Sequence, residues 1–338
     1  MSRGDSLPRV VSHIRRRRLV GEGDRVLLGL GGGVASAGML AAFIMGREAG
    51  IARCELAVAA VETDPSEEHD GAEVVAEVGR MARSFGLPFF AVRPAMHRGA
   101  VRVASELRSL AGEQGYNRVA LAHTRDDEVR RVLRGLSADA GLRGVTGISS
   151  RGAGGVIRPL LPLREAEAAA LARDLGIEPV QLPPTPEALA AGELERVLLT
   201  RWRAREPGLD RSLLHIAQEV RALRRMVTAQ AARWVADAGM GDGRYAFRLR
   251  RGETVAGPLA AAVSEALLRA VTGSDAPPAL WIQRLARVFR DPAGGRGRGA
   301  NAPTLVLPGL QAEVRLTDEG PVVLVSATVR RGPARASG

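Results

Sequence analysis

Three stretches of this chain hold residue types whose spacing could do chemistry. In the first, the apolar segment Val26-Leu27-Leu28-Gly29-Leu30 runs into Gly31-Gly32-Gly33 and then Val34-Ala35-Ser36, where a helix begins. Glycine lets backbone N–H groups approach an anion, and a helix N-terminus adds a favourable dipole, so this order builds a phosphate cradle. The second stretch, Leu121-Ala122-His123-Thr124-Arg125-Asp126-Asp127-Glu128, places a histidine and two carboxylates where a strand meets a helix. A carboxylate there, beside bound phosphate, suits Mg²⁺, a hard cation that takes oxygen ligands. The third is a pair of arginine-bearing segments, Gly141-Leu142-Arg143-Gly144 and Val156-Ile157-Arg158-Pro159-Leu160-Leu161. Each feature alone has a plainer reading: a tight packing turn, a satisfied loop histidine at His123, an N-cap at Asp126. Their coincidence points to nucleotide chemistry far more specifically than any one part.

The elements that must position these residues alternate. Strands are expected at Arg25–Leu30, Cys54–Val61, Pro88–Val92 and Arg118–Ala122. Helices are expected at Pro8–Arg18, Val34–Gly46, Glu67–Phe85, Gly99–Gln114 and from Asp126 to Leu136. Near-continuous apolar strands separated by helices predict an α/β fold with a mostly parallel sheet covered on both faces. Ligands of such sheets bind beyond the strand C-termini, so the loops after Leu30, Val61 and Ala122 should share one rim. A helix over Arg164–Leu175 follows, then the stiff connector Leu182-Pro183-Pro184-Thr185-Pro186. Next comes a long helix, about Asp210–Ala236, on which Leu213, Ile216, Val220, Leu223, Val227 and Trp234 recur at helical spacing and read as core. Arg221, Arg224, Arg225 and Arg233 populate its other face, either as a solvated surface or as one turned to RNA. Helices at Gly257–Val271 and Ala279–Arg290 precede a Gly/Arg segment, 294–299, and strands at Thr304–Leu307, Glu313–Leu316 and Val322–Val325.

Composition narrows the function classes. The 338 residues suffice for two or three domains, with no membrane-length apolar run and no signal-peptide core, which makes a cytoplasmic protein the expectation. One cysteine, Cys54, permits no intrachain disulfide and no cysteine zinc site; in a buried strand it is an inert apolar residue. The chain contains no lysine, so all 48 basic residues are arginine and chemistry needing an enzyme lysine is excluded. Of the net charge of +11, residues 245–338 carry 13 Arg against 7 Asp plus Glu, or +6. Arginine forks match phosphate geometry, so a phosphate-rich partner such as RNA is expected there, with Arg284, Arg287, Arg296 and Arg298 as contacts.

At these residues the chain resembles the tRNA(Ile)-lysidine synthetase family of the PP-loop ATP pyrophosphatases, from Leu7 to about Val325 and most strongly before Pro162. Gly32, Gly33 and Ser36 match that family's Ser-Gly-Gly-x-Asp-Ser loop, whereas Gly31 and Ala35 stand where it has the first serine and the aspartate. His123, Asp126 and Asp127 match its second motif, and Gly141–Gly144 and Arg158–Leu161 its later ones. The resemblance implies a Rossmann-like PP-loop domain over 1–186, a helical linker over 187–240, a small α+β substrate domain over 241–330 and a tail over 331–338. It implies ATP and Mg²⁺ as cofactors and tRNA and free lysine as substrates, with self-association into a homodimer left open. ATP would adenylate the wobble cytidine of a tRNA(Ile) anticodon, and lysine would then displace AMP. Gly31, Gly32, Gly33 and Ser36 would hold phosphates, with Arg143 and Arg158 on phosphate, AMP or RNA. His123, Asp126 and Asp127 would be catalytic, and Asp127 would serve the metal. The departures at Gly31 and Ala35 are joined by Glu62-Thr63-Asp64-Pro65, where the family has another segment, although Asp64 could return a carboxylate to the rim. The alternative is therefore a catalytically silent relative that keeps the tRNA-binding body. A thiolating PP-loop enzyme fits less well, because one cysteine supplies neither a cluster nor a sulfur relay.

Overall fold

Along the first strand Val26, Leu28 and Leu30 face one helical layer while Leu27 faces the other, the period-two division of a sheet buried on both sides. The chain's computed structural model describes residues 5–51, 53–62, 71–92, 103–137, 144–180, 197–249, 255–272, 277–291, 304–317 and 320–327. It divides into two compact units, Met1–Gln218 and Glu219–Gly338.

In the first unit, α1 (Ser6–Arg17), β1 (Arg25–Gly29), α2 (Val34–Glu48), β2 (Glu55–Val61), α3 (Gly71–Ser84), β3 (Phe89–Val92), α4 (Val103–Glu113), β4 (Arg118–Leu121), α5 (Arg125–Ser137), β5 (Val156–Ile157) and α6 (Glu165–Asp174) follow in order. The strands form one parallel sheet, β3-β2-β1-β4-β5. The chain steps outward from β1 to β3, then crosses back to place β4 on the other side of β1. This makes the gap beyond the β1 and β4 C-termini the switch point where such sheets bind ligands. Residues from α1, α2, α3 and α6 share the core on one face with Val26, Val58 and Ile157, while α4 covers Leu27, Ala59 and Val119 on the other. The parallel, doubly covered α/β sheet is as expected, and β5 is a short strand where the sequence reading placed only a motif.

The long helix α7 (Leu209–Ala238) corrects one expectation. Leu213 and Ala217 pack with Val129, Val132 and Leu209, and Ala231 and Val235 join a second core. Between them Ile216 is 49% exposed and Leu223 52%, so the predicted stripe is core only near the two ends of the helix. The spacing was helical throughout, but a 30-residue helix outruns the core that either unit offers it. Trp234 is core, edge-on to Phe247 at 5.7 Å.

The second unit is an antiparallel sheet of β6 (Gly239–Gly241), β7 (Arg244–Arg248), β8 (Thr304–Leu307), β9 (Leu310–Thr317) and β10 (Gly320–Ala327), ordered β6-β7-β10-β9-β8. The helices α8 (Gly257–Thr272) and α9 (Ala279–Arg290) share its core, in which Phe247 and Phe289 meet at 5.0 Å. The β6–β7 hairpin has no counterpart in the sequence reading. Its two-residue turn, Asp242 (φ 51°) and Gly243 (φ 68°), has both residues left-handed, the type I′ geometry for which Asp-Gly is a recognised signal.

Candidate functional site

The loop from β1 into α2 is held by its own residues. Ser36 Oγ accepts the Gly31 N–H at 3.0 Å, and the Val180 N–H donates to the Gly32 carbonyl at 2.9 Å. Gly32 has φ 77°, and a Cβ there would lie 2.9 Å from Val180 Cγ2, so glycine is required by the fold. Gly31 and Gly33 differ: neither has a positive φ, and a Cβ on either would meet nothing within 4 Å among the described residues. Both are exposed on the sheet's C-terminal rim. Gly33 is the N-cap of α2 and offers no side-chain oxygen to the first turn. The N–H groups of Val34 and Ala35, together with the Ser36 hydroxyl hydrogen, form an anion-binding end of a 15-residue helix.

The start of α5 is built the opposite way. Asp127 Oδ2 accepts from the Thr124 N–H at 2.7 Å and from its hydroxyl at 2.9 Å, and Oδ1 takes Arg130 at 2.9 Å. Thr124, rather than Asp126, is therefore the N-cap, and Asp127 sits three residues on in a capping-box arrangement. Asp126 is buried: Oδ2 accepts the Glu165 N–H at 2.8 Å and Oδ1 pairs with Arg203 at 2.7 Å. Arg203 also pairs with Asp210 at 2.8 Å, and Asp210, 2% exposed, takes Arg164 at 2.9 Å. This chain of charges ties the starts of α5, α6 and α7 to the helical residues 197–205.

His123 follows β4 and immediately precedes the capped start of α5. Burial, and after it the charge of Arg158, lowers its pKa, so the ring is neutral at neutral pH. Its Nδ1 is buried without a partner, as is Nε of Arg158, whose Nη1 donates to the Ser149 carbonyl at 2.9 Å. Burial also lowers the Arg158 pKa. Two buried polar atoms without partners, in residues that follow the neighbouring strands β4 and β5, leave room for a polar ligand group. Arg143, Asp64, Arg296 and Arg298 lie outside the described residues. In the second unit Arg284 and Arg287 share the exposed face of α9, opposite Ile282, Leu285 and Phe289. Arg290 extends that face by one turn, and its three-residue spacing from Arg287 could have disclosed it in the sequence.

Among the described residues the donor set does not fit a protein-held Mg²⁺. Both oxygens of Asp127 and of Asp126 are engaged, Arg130 occupies the outward side of Asp127, and Ala35 contributes no ligand. Among the described residues no group of three or more His, Cys, Asp or Glu side chains could hold a metal ion. Cys54 is half-buried just ahead of β2, and burial raises its thiol pKa, consistent with an inert residue. Among the described residues no helix is long and apolar enough to cross a membrane.

A parallel sheet with an open glycine loop at its switch point defines a nucleotide-binding α/β protein, and comparison with known families makes this specific. A PP-loop domain model matches residues 9–181, and the chain belongs to that family. The tRNA(Ile)-lysidine synthase of Chlorobaculum tepidum is 30% identical over 167 residues, 46% of this chain and 50% of that one. The tRNA(Ile)-lysidine synthase of Leifsonia xyli subsp. xyli is 29% identical over 303 residues, covering 86% of this chain and 87% of its own. The chain thus spans half the length of the first relative and most of the second. Among solved structures, the U34-tRNA thiolase NcsA from Methanococcus maripaludis with its [4Fe-4S] cluster superposes with a TM-score of 0.53 at 15% identity, over 64% of this chain and 78% of that one, a likeness of fold.

Proposed function

We propose that this protein is an ATP-dependent tRNA-modifying enzyme of the lysidine-forming kind. The observation that carries the reading is the pair Gly31 and Gly33, whose lack of side chains nothing among the described residues requires and which open onto the switch point. Phosphates of ATP would sit on the N–H groups at the start of α2. O2 of the wobble cytidine would attack the α-phosphorus and expel pyrophosphate. The ε-amine of free lysine would then attack C2, and AMP would leave with the former O2 while the amine gives up a proton. His123, neutral and unpartnered at Nδ1, would accept a hydrogen bond or that proton. Arg158 beside it would stabilise the negative charge that develops on the departing AMP. Asp126 and Asp127 enter as positioning residues that fix the start of α5. The sequence names of the relatives support tRNA(Ile) and lysine as substrates, and the exposed arginines of α9 support an RNA partner.

The test is pyrophosphate release by purified protein with ATP, tRNA(Ile) and lysine. Release should require both ATP and tRNA, and AMP formation should further require lysine. Missing one electrostatic contact at a reacting centre costs about a hundredfold in rate, so slow turnover is expected, with partial gain on Ala35→Asp. Tight tRNA binding with no pyrophosphate release from either form would replace this reading by that of a binding protein.

A further inference from the structure

We infer that Arg15, Arg16, Arg17 and Arg18, with Arg151 beside them, form a docking surface for the phosphodiester backbone of RNA on the nucleotide-binding unit itself; the inference builds on the tRNA-modifying reading above. All five residues are exposed. None of the first four side chains forms an ion pair or hydrogen bond among the described residues, whereas Arg9 on the same helix is neutralised by Glu167. Arg151 Nη2 donates to the Arg18 carbonyl at 2.9 Å, bringing a fifth guanidinium to the same helix end. Arg151 also bridges to Ile157 of β5. The cluster therefore lies along the β5 edge, two strands and roughly 10 Å across the sheet from β1. No acidic residue stands on α1; Asp5, at its N-cap, is about 18 Å away along the helix.

The fold does not explain this cluster. One or two basic residues in a last turn complement the helix dipole, and a third and fourth add mutual repulsion. Arg18 is more telling. It adopts φ 49° and ψ 49°, closing α1 with hydrogen bonds from its own N–H to Arg15 and Ile14 and from Leu19 to Ile14. That left-handed position normally goes to glycine or asparagine. Arginine is held there at a conformational cost, and among the described residues its side chain makes no hydrogen bond or ion pair that would offset it. A groove of about 480 Å³ lined by Leu7, Val11, Ser12, Arg15, Arg16 and Ala49 adjoins the cluster. A membrane surface fits less well, because Val10, Val11 and Ile14 are buried and leave no apolar face to enter lipid.

The experiment measures binding of labelled tRNA(Ile) transcript and of an unrelated RNA hairpin between 50 and 200 mM salt. Two variants are compared with wild type: the triple Arg15→Gln, Arg16→Gln, Arg17→Gln, and the single Arg18→Gly. The triple variant should lower the slope of log K against log salt by about 2–3, one step of about 0.7–0.9 per phosphate contact, and weaken low-salt affinity at least tenfold. Arg18→Gly should weaken binding while raising the melting temperature by about 2–4 °C, two movements that a purely structural role would not separate. Unchanged slopes and affinities in both variants would overturn the inference, as would a wild-type protein that binds neither RNA. Patch-dependent binding with no preference for tRNA(Ile) would uphold the surface and remove the tRNA(Ile) reading. Preference for tRNA(Ile) untouched by the triple variant would do the reverse.

Discussion

Two helices begin on the same rim, after adjacent strands, and they begin in opposite ways. At α2 the N-cap is Gly33, the flanking Gly31 is open, and the first-turn N–H groups have no side-chain acceptor. At α5 the end is sealed: Thr124 and Asp127 close a box, the Arg125 N–H goes to the Leu163 carbonyl at 2.7 Å, and Asp126 is locked to Arg203. A helix N-terminus whose donors are already satisfied has little left for an anion, while one left bare holds its donors in reserve. On the reading proposed above, phosphate would go to α2, and the two adjacent carboxylates would serve first as architecture. Motif reading alone treated both ends as parts of one chemical site.

The largest effect should come from undoing the sealed end. Arg203→Ala leaves Asp126 and Asp210 buried without their shared partner, and breaking a buried pair in this way costs about 3–5 kcal/mol. Urea unfolding measures it, and a loss below about 1 kcal/mol would mean that this network does not hold the α5 start.

Acid probes the same side. Burial, and after it the Arg17 charge, presses His13 from 6.5 down to about 4, and its ring also hydrogen-bonds the backbone at Arg158, the residue whose charge lowers His123. Between pH 6.5 and 4 the unfolded chain binds a proton at His13 that the folded chain does not, so stability is complete above 6.5 and falls as pH drops towards 4. After discounting for solvent screening, the loss is about 2–3 kcal/mol. His123, shifted the same way, adds the same sign. His13→Gln should flatten the stability curve across this window; a slope equal to wild type would assign the acid sensitivity elsewhere.

At the open end the glycines separate fold from ligand. Gly32→Ala must strain a left-handed residue against Val180 and should cost about 1–3 kcal/mol. Gly33→Ala has room and an ordinary backbone, so its melting temperature should hold while ATP affinity, read by calorimetry, falls about tenfold, or 1.4 kcal/mol. Unchanged ATP affinity in Gly33→Ala would break the comparison on this side.

What could be read from the residues follows the range of the forces involved. Strand and helix positions in the first unit were legible because apolar period and glycine punctuation are local, and in the second unit the helix Ala279–Arg290 coincides with its expected bounds. The turn from β1 through the glycines into α2 was legible for the same reason. The partners of Asp126 were not, since Arg203 and Glu165 lie 77 and 39 residues away and no local spacing announces them. Nor was the exposure of Ile216 and Leu223, because periodicity says which residues share a face and not whether anything covers it. The β6–β7 hairpin was legible in Asp242-Gly243, and the sequence reading passed over it.

The smallest expected effect is the most discriminating. Asp127 has two candidate roles, cap and reactive carboxylate, and the two respond differently to amide and methyl replacements. As a cap it accepts hydrogen bonds from Thr124, which an asparagine oxygen can also do, so Asp127→Asn should cost only a few tenths of a kcal/mol and Asp127→Ala about 1 kcal/mol. Turnover per folded molecule should then survive in the asparagine variant. If the carboxylate instead takes part in the reaction, Asp127→Asn would keep its stability and lose pyrophosphate release about a hundredfold or more. Parallel denaturation and single-turnover measurements on this one variant decide whether the α5 start is only sealed or is also chemically engaged.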